Sequence, residues 1–333
     1  MPRGVAATAA RRCPACGRAR PIRSCLARDA RCGGGVQPTL RIRSIRATAL
    51  DIPLHAPFGI SGGAQAAANN VLVAVELSDG TRGHGEAAPL PPYNGETQAD
   101  ARAALQAAQP WLANCAAADW RAIGREFARR SRIRSGSARC ALETALLDAL
   151  TRREQVPLWK FFGGAGTTLE TDMTVTTGTA DEAAVAARAI RRRRIRVIKV
   201  KIGGAGGPRR DLARLVAIRD VAPRAPLVLD GNAGLSRRAA GQLVRLLAAE
   251  GIRPALLEQW LPKDDLAGMR ALREQSGWLV AADEAVCTAA DVRRIARARA
   301  ADVVNIKLMK SGVAEALDLA AAARAAGLGL MIG

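Results

Sequence analysis

Between Lys199 and Lys307 the chain repeats one unit: a short apolar run carrying a charged residue near its end, then an Ala/Arg/Leu-rich stretch. The runs read VIKVKIG, LVLDGN, ALLEQW, LVAADE and VVNIKL. They set Lys201, Asp230, Glu258, Asp283 and Lys307 apart by 29, 28, 25 and 24 residues, by subtraction of their numbers. Each interval is the length of one βα unit. The segments between, such as RRDLARLVAIRDV and RRAAGQLVRLLAAE, show apolar residues at helical spacing. Strands and helices in strict alternation build a parallel barrel, and its strand C-termini converge on one mouth. A single charge at a strand end is ordinarily a solvated loop start or a structural ion pair. Five in consecutive strands, ordered Lys, Asp, Glu, Asp, Lys, make a site.

A chain of 333 residues holds such a barrel and a smaller domain besides. No apolar run reaches the length of a membrane span without a charge or a Gly/Pro break, which excludes a membrane-spanning reading. The formal charge of +20 raises the question of a nucleic-acid surface. Only six of the 50 basic residues are lysine, and the other 44 are arginines spread over helical segments with ten aromatics in the whole chain. That composition describes solvated helix faces rather than a surface for stacking bases.

Residues 1–46 carry eleven arginines and a single acid, Asp29, and cannot fold by burial. Cys13, Cys16, Cys25 and Cys32 offer one C-x2-C half of a zinc site with no matching second half. A disordered leader over residues 1–38 is the expectation. Cys115, Cys140 and Cys287 have no metal spacing and read as reduced core or helix residues of a cytoplasmic protein. From Leu40 the alternation in LRIRSIRATALDIP and the DG turn after VLVAVELS predict antiparallel strands. The Gly/Ala-rich PFGISGGAQAAANN between them reads as a connector or a lid. A loop with the only tyrosine, Tyr93, then leads into helices over roughly 97–150. His55 and His84, the two histidines, fall in this α+β part, away from the barrel strand ends. GGAGG at 203–207 is a weak phosphate-loop signal without the full fingerprint.

The connector VPLWKFFGG, then K-V-K, D-G-N, E-Q, A-D-E and N-I-K-L-M-K-S-G in this order, resemble the muconate-lactonising-enzyme subgroup of the enolase superfamily. T-D-M-T-V and N-I-K-L-M-K-S-G are most similar to dipeptide epimerases of the L-Ala-D/L-Glu type. The resemblance spans about residues 40–333. It implies an enolase-like α/β fold, with an α+β capping domain over 39–165 and a TIM-type (β/α)7β barrel over 166–333. It also implies an isomerase that removes the proton alpha to a carboxylate through an enediolate.

Residues two apart on a strand share a face, so Lys199 and Lys201 point the same way, as do Asn305 and Lys307. Two adjacent ammoniums repel, which favours loss of one proton. A base for neutral pH needs its pKa lowered from about 10.4 to roughly 7–8, worth about 4 kcal/mol. Lys310 lies past the strand end and reads as a loop residue. Asp230, Glu258 and Asp283 offer three oxygen ligands from adjacent strands, a set suited to Mg²⁺, whereas zinc would want His or Cys. Lysines on strands four βα steps apart face opposite sides of one carbon, as racemisation or epimerisation requires. By resemblance, Lys201 and Lys307 are the acid/base pair, Lys199 tunes Lys201, the three carboxylates hold Mg²⁺, and Asn232 and Glu284 support them. Thr174, Phe58 and Ile60 are the candidate contacts to a dipeptide or N-acyl amino acid.

Seven barrel strands are expected, starting near Thr171, Val197, Leu227, Ala255, Leu279, Val303 and Gly327, where the fold has eight. A chain ending in LMIG is expected to lack the last strand, to cover Leu328, Leu330 and Ile332 poorly, to aggregate and to be weakly active. Within the family the alternatives are a cycloisomerase, a succinylbenzoate synthase or an N-acylamino acid racemase. Outside it stands a nucleic-acid or zinc-binding protein with an inactive barrel. The resemblance leaves room for a homo-oligomer.

Overall fold

The computed structural model describes residues 39–60, 63–131, 135–164 and 168–333. The expected leader and its four cysteines lie outside the described residues. The first elements are an antiparallel sheet of β1 (Ile42–Ile60), β2 (Gly63–Leu77) and β3 (Arg82–Ala87), in that order. Alternation along the strands turns Ile42, Ile45, Val71, Val73, Val75 and Leu77 inward. They pack on α2 (Gln98–Leu112), α3 (Trp120–Arg130) and α4 (Gly136–Arg153) through Leu105, Leu112, Ile123, Phe127, Leu142 and Leu146. Two short helices, α1 (Pro91–Asn94) and α5 (Leu158–Phe161), flank this layer. Thr97 and Asp100 close a capping box at the start of α2.

One expectation is corrected here. The described residues of the Gly/Ala-rich segment continue the strands, because β1 and β2 stay paired through Phe58↔Gln65, Gly59↔Ala64 and Ile60↔Gly63 after a register shift between Pro53 and Phe58. Backbone pairing continues the ladder here although Gly and Ala have little strand propensity of their own.

The second sheet is parallel and seven-stranded among the described residues. It comprises β4 (Asp172–Val175), β5 (Val197–Lys201), β6 (Leu227–Asp230), β7 (Leu256–Glu258), β8 (Val280–Ala282), β9 (Val303–Ile306) and β10 (Gly329–Ile332), each paired with the next in sequence. It curls into a barrel wall. The helices α6 (Ala180–Arg192), α7 (Gly207–Val221), α8 (Arg237–Ala249), α9 (Leu266–Ser276), α10 (Ala289–Ala298) and α11 (Leu308–Ala325) alternate with its strands. Ile198, Val200, Leu229, Leu257 and Val304 pack with Ala187, Ile190, Leu215, Leu243 and Leu319 in one core. Strand parity therefore sends Lys199 and Lys201 the other way, into the barrel. Leu328 packs on this core, while Leu330 is 37% and Ile332 76% exposed.

The two cores are not cleanly separated in sequence: Val313 and Ala314 of α11 belong to the first. They follow Gly312, whose left-handed φ of 72° breaks the helix. Arginine is not uniformly solvated either, since Arg139 and Arg214 are buried. Among the described residues no helix is long and apolar enough to cross a membrane.

Gly83 and Gly85 of β3 are required by space, because a Cβ on either would meet backbone atoms of Ala145, Ala149 or Ala141 in α4. Gly241 in α8 is not, its nearest outside atom being the tip of Arg245 at 3.6 Å. Gly83→Ala is therefore expected to destabilise by about 1–3 kcal/mol through overpacking. Gly241→Ala should stabilise by roughly 0.5–1 kcal/mol through helix propensity. Urea unfolding midpoints read both, and a neutral Gly83→Ala would contradict the packing of β3 on α4.

Candidate active site

The register of the parallel sheet sets the charged residues level. Lys201 pairs with Asp230 and Asp230 with Glu258, at the C-terminal ends of β5, β6 and β7. Asp283 follows β8 directly, and Lys307 is the cap residue between β9 and α11. Asp230, Glu258, Asp283 and Asn305 are all 0% exposed. A buried carboxylate without a partner costs several kcal/mol, and each one here has a cation.

Asp230 Oδ2 accepts from Lys201 Nζ at 2.7 Å and lies 2.8 Å from Lys199 Nζ. Lys199 also donates to Glu258 Oε2 at 2.7 Å, while Asn305 Nδ2 donates to Glu258 Oε1 at 2.8 Å. On the far side Lys307 donates to Asp283 Oδ2 at 2.6 Å. Asn232 ties Lys201 to Glu284: its Oδ1 accepts from Lys201 at 2.8 Å and its Nδ2 donates to Glu284 Oε1 at 3.2 Å. Six of the eight acid/base, carboxylate and supporting residues inferred from the sequence thus fall in one network, and the other two, Lys307 and Asp283, form a pair that reaches it through Lys310.

Two further residues join it. Lys310 is no loop residue: 4% exposed, it donates to Asp283 Oδ1 at 2.8 Å and to the backbone carbonyls of Asp283 and Asn305. A helix starts immediately after Lys307, so the i, i+3 spacing was the signal that both lysines share a face. Tyr93, from α1, donates its hydroxyl to Asp283 Oδ1 at 3.1 Å and holds its ring 4.5 Å from Lys307 Nζ. No sequence pattern marked it. Burial, with Asp283 beside it, pushes the phenol well above its ordinary value, so it stays a neutral donor.

The electrostatics follow from four carboxylates facing four ammoniums. Burial pushes Asp283 up, but Lys310 and Lys307 outweigh it and hold the carboxyl at about 2. Asp230 is likewise held low by Lys199 and Lys201 against its burial. Burial and the neighbouring Asp230 raise Glu258 despite Lys199. Glu284 is pushed up to about 7 by burial, then by Asp283 and Asp230. The expected loss of a proton from paired lysines is reversed at Lys199. Burial disfavours its charge, yet Glu258 and Asp230 raise it overall, because a carboxylate stands between the two ammoniums. Lys307 is raised by Asp283 in the same way, against burial.

The remaining candidates divide. Thr174 pairs with Lys199 across β4 and β5, so it lines the same barrel face. The side chains of Phe58 and Ile60 lie outside the described residues. Cys140 is buried, but Cys287 is exposed after β8, contrary to a core or helix position. It lines a cavity of about 630 Å³ with Tyr93, Glu284, Lys263 and Lys310. Gly203 of the GGAGG loop gives its amide to Asp211 Oδ2 at 2.8 Å, which occupies the donor a phosphate would use.

The donor set fits a hard dication: carboxylates from three adjacent strands, no imidazole or thiolate, and two buried acceptors, Glu284 Oε2 and Asn305 Oδ1, without a hydrogen-bond partner. Among the described residues no three such side chains are already gathered as a metal group, and each of these carboxylates is drawn to an ammonium or amide instead.

Residues 42–163 match the profile of the mandelate racemase/muconate lactonizing enzyme N-terminal domain, and residues 181–333 that of the enolase C-terminal domain-like family. The aromatic dipeptide epimerase of Herpetosiphon aurantiacus is 50% identical over 292 residues, covering 88% of this chain and 82% of the relative. The L-Ala-D/L-Glu epimerase of Thermotoga maritima is 33% identical over 294 residues, covering 88% and 84%. The dipeptide epimerase of Enterococcus faecalis V583, solved with Mg and the dipeptide L-Leu-L-Tyr, superposes with a TM-score of 0.83 at 27% identity, covering 88% of this chain and 82% of that one.

If Lys310 neutralises Asp283 as described, Lys310→Met should destabilise by about 3–5 kcal/mol, the effect of breaking a buried pair. It should also raise the Asp283 carboxyl, readable by carbon NMR. A change within about 0.5 kcal/mol, typical of a surface residue, would return Lys310 to the loop.

Proposed function

We propose that this chain, which belongs to the mandelate racemase/muconate lactonizing enzyme family within the enolase superfamily, is a dipeptide epimerase and that Lys201 and Lys307 are its two acid/base groups. The observation that carries this reading is the order of the sheet. β6, β7 and β8, with their three carboxylates, stand between the strands that carry the two lysines. A substrate carbon above that row meets one ammonium from each side.

In one direction Lys201, as the neutral amine, takes the α-proton. The electron pair of the C–H bond moves into the adjacent carboxylate as an enediolate, and the Lys307 ammonium returns a proton to the opposite face. The other isomer runs the same steps with the roles exchanged, and solvent resets both lysines. Asp230, Glu258 and Asp283 are the residues that would hold Mg²⁺, which when bound stabilises the charge gathering on the substrate carboxylate by several kcal/mol. Lys199 shares Asp230 with Lys201 and keeps a second positive charge beside it. Asn232 orients Lys201 through its carbonyl oxygen. Thr174 lies on the wall beside Lys199 and contacts substrate from there.

This reading leaves the alternatives less supported. An elimination or ring-forming enzyme needs one base, while two lysines placed across the row suit inversion at carbon. The relatives named for aromatic and for L-Ala-D/L-Glu substrates put both kinds of dipeptide, with N-acyl amino acids as a comparison, into the test panel.

Epimerisation of that panel is expected to stop in chelator and to return with Mg²⁺. Lys201→Ala and Lys307→Ala should each lose epimerisation by about 10²–10⁴-fold, the scale of a lost acid or base. Each should still exchange the α-proton of one isomer with D₂O, and a different isomer in the two variants. Full epimerisation by either variant would remove that lysine from the mechanism.

A further inference from the structure

Behind each of the two proposed acid/base lysines stands a buried charged residue that does not face the site: one bonds the backbone of Lys201 itself, the other the backbone of Val313 and Ala314, further along the segment that carries Lys307. Arg214, on α7 and 2% exposed, donates through Nη1 to the carbonyl oxygen of Lys201 at 2.7 Å and through Nη2 to that of Thr176 at 2.5 Å. One guanidinium thus bridges the ends of β4 and β5. Its orientation is set by Asp211, which takes Nη1 at 3.3 Å and the amide of Gly203 at 2.8 Å. The planar fork matters here, since a lysine ammonium is a point donor that cannot hold two fixed carbonyls in the same way.

On the other side the anchor comes from α4. Glu143 is 0% exposed and accepts from Arg139 Nε at 2.8 Å. Its second oxygen accepts the amides of Val313 and Ala314, the latter at 2.9 Å, which start the second part of α11 after the break at Gly312. The carboxylate therefore serves as a cap for a helix start, from a different element. Close approach is built in at three glycines. A Cβ on Gly312 would lie 2.7 Å from Glu143 Oε2, one on Gly124 would strike Glu143, and one on Gly136 would strike the Met309 and Lys310 carbonyls. The turn from Lys307 to Ala314 is pinned to α4 at both its middle and its end.

We infer that Arg214 and Glu143 are separate positioning residues, each governing the stereochemical half of the reaction carried by its own lysine: Arg214 for Lys201, and Glu143 for Lys307. The inference rests on the two-lysine reading above. Among the described residues no hydrogen bond or ion pair joins Arg214 to Glu143, so each can be disturbed alone. A displacement on the scale of 1 Å at a proton-transfer group costs up to about 100-fold in rate, and it should be confined to one face of the substrate carbon.

The test follows deuterium uptake from D₂O at the α-carbon of each dipeptide isomer, with Mg²⁺ supplied, for the whole chain. Lys201→Ala and Lys307→Ala first assign which isomer each lysine deprotonates. Arg214→Met should then slow uptake into the Lys201 isomer by about 10–100-fold while leaving the Lys307 isomer within about twofold, and Glu143→Gln should do the reverse. Arg214→Lys should recover part of the loss. A merely structural role predicts equal losses in both isomers, and that result, or no loss in either, overturns the inference. Should Arg214→Met not fold, Arg214→Lys is read by the same ratio, and an unchanged ratio overturns it equally. Absence of uptake by the unaltered chain into every substrate tried would instead count against the proposed reaction.

Discussion

Neutralisation of buried charge at the strand ends is the constraint on which the rest depends. Asp230, Glu258 and Asp283 are wholly buried at the ends of the barrel strands. Removing such ions from solvent costs several kcal/mol each unless cations stand within hydrogen-bond reach. Lys199, Lys201, Lys307 and Lys310 meet that demand only if β5 to β9 keep their register, because a one-residue slip of β5 would turn Lys199 and Lys201 to the other face of the sheet. The chemistry and the fold are thereby tied: the groups that move protons also hold the strand ends at one level.

The same logic explains what could be read in advance. A charge near the end of five consecutive apolar runs marked the five strands that carry the candidate site, since parity and βα spacing are local properties that survive tertiary packing. Lys310 was missed because its role depends on where a helix begins. Tyr93 was missed because it arrives from the other layer of the molecule, a long-range contact with no periodic trace. Residues 58–60 and 63–65 were misjudged for a related reason: Gly- and Ala-rich sequence carries little strand preference of its own, and these residues pair all the same. Arg214 and Glu143 looked like ordinary residues of solvated helices, yet burial gives each a set of backbone partners that no composition could announce.

The layer before the barrel is more than a cover. Its α4 supplies Glu143 and the close contact at Gly136 to the segment that carries Lys307 and Lys310, and its α1 supplies Tyr93 to the ring face of Lys307. On the proposed reading one acid/base lysine is positioned by the N-terminal elements and the other by the barrel's own α7. A reaction that treats the two faces of a carbon alike is run by two supports of different origin.

The central claim is that separate lysines serve the two faces. One measurement addresses it directly: the hydrogen at the α-carbon of the isomer first formed when a single dipeptide isomer turns over in D₂O. If Lys201 removes the proton and Lys307 returns another, that product carries deuterium from its first turnover while the unreacted isomer is still protiated. A product that keeps the substrate's own hydrogen would mean that one group serves both faces, and would contradict the account.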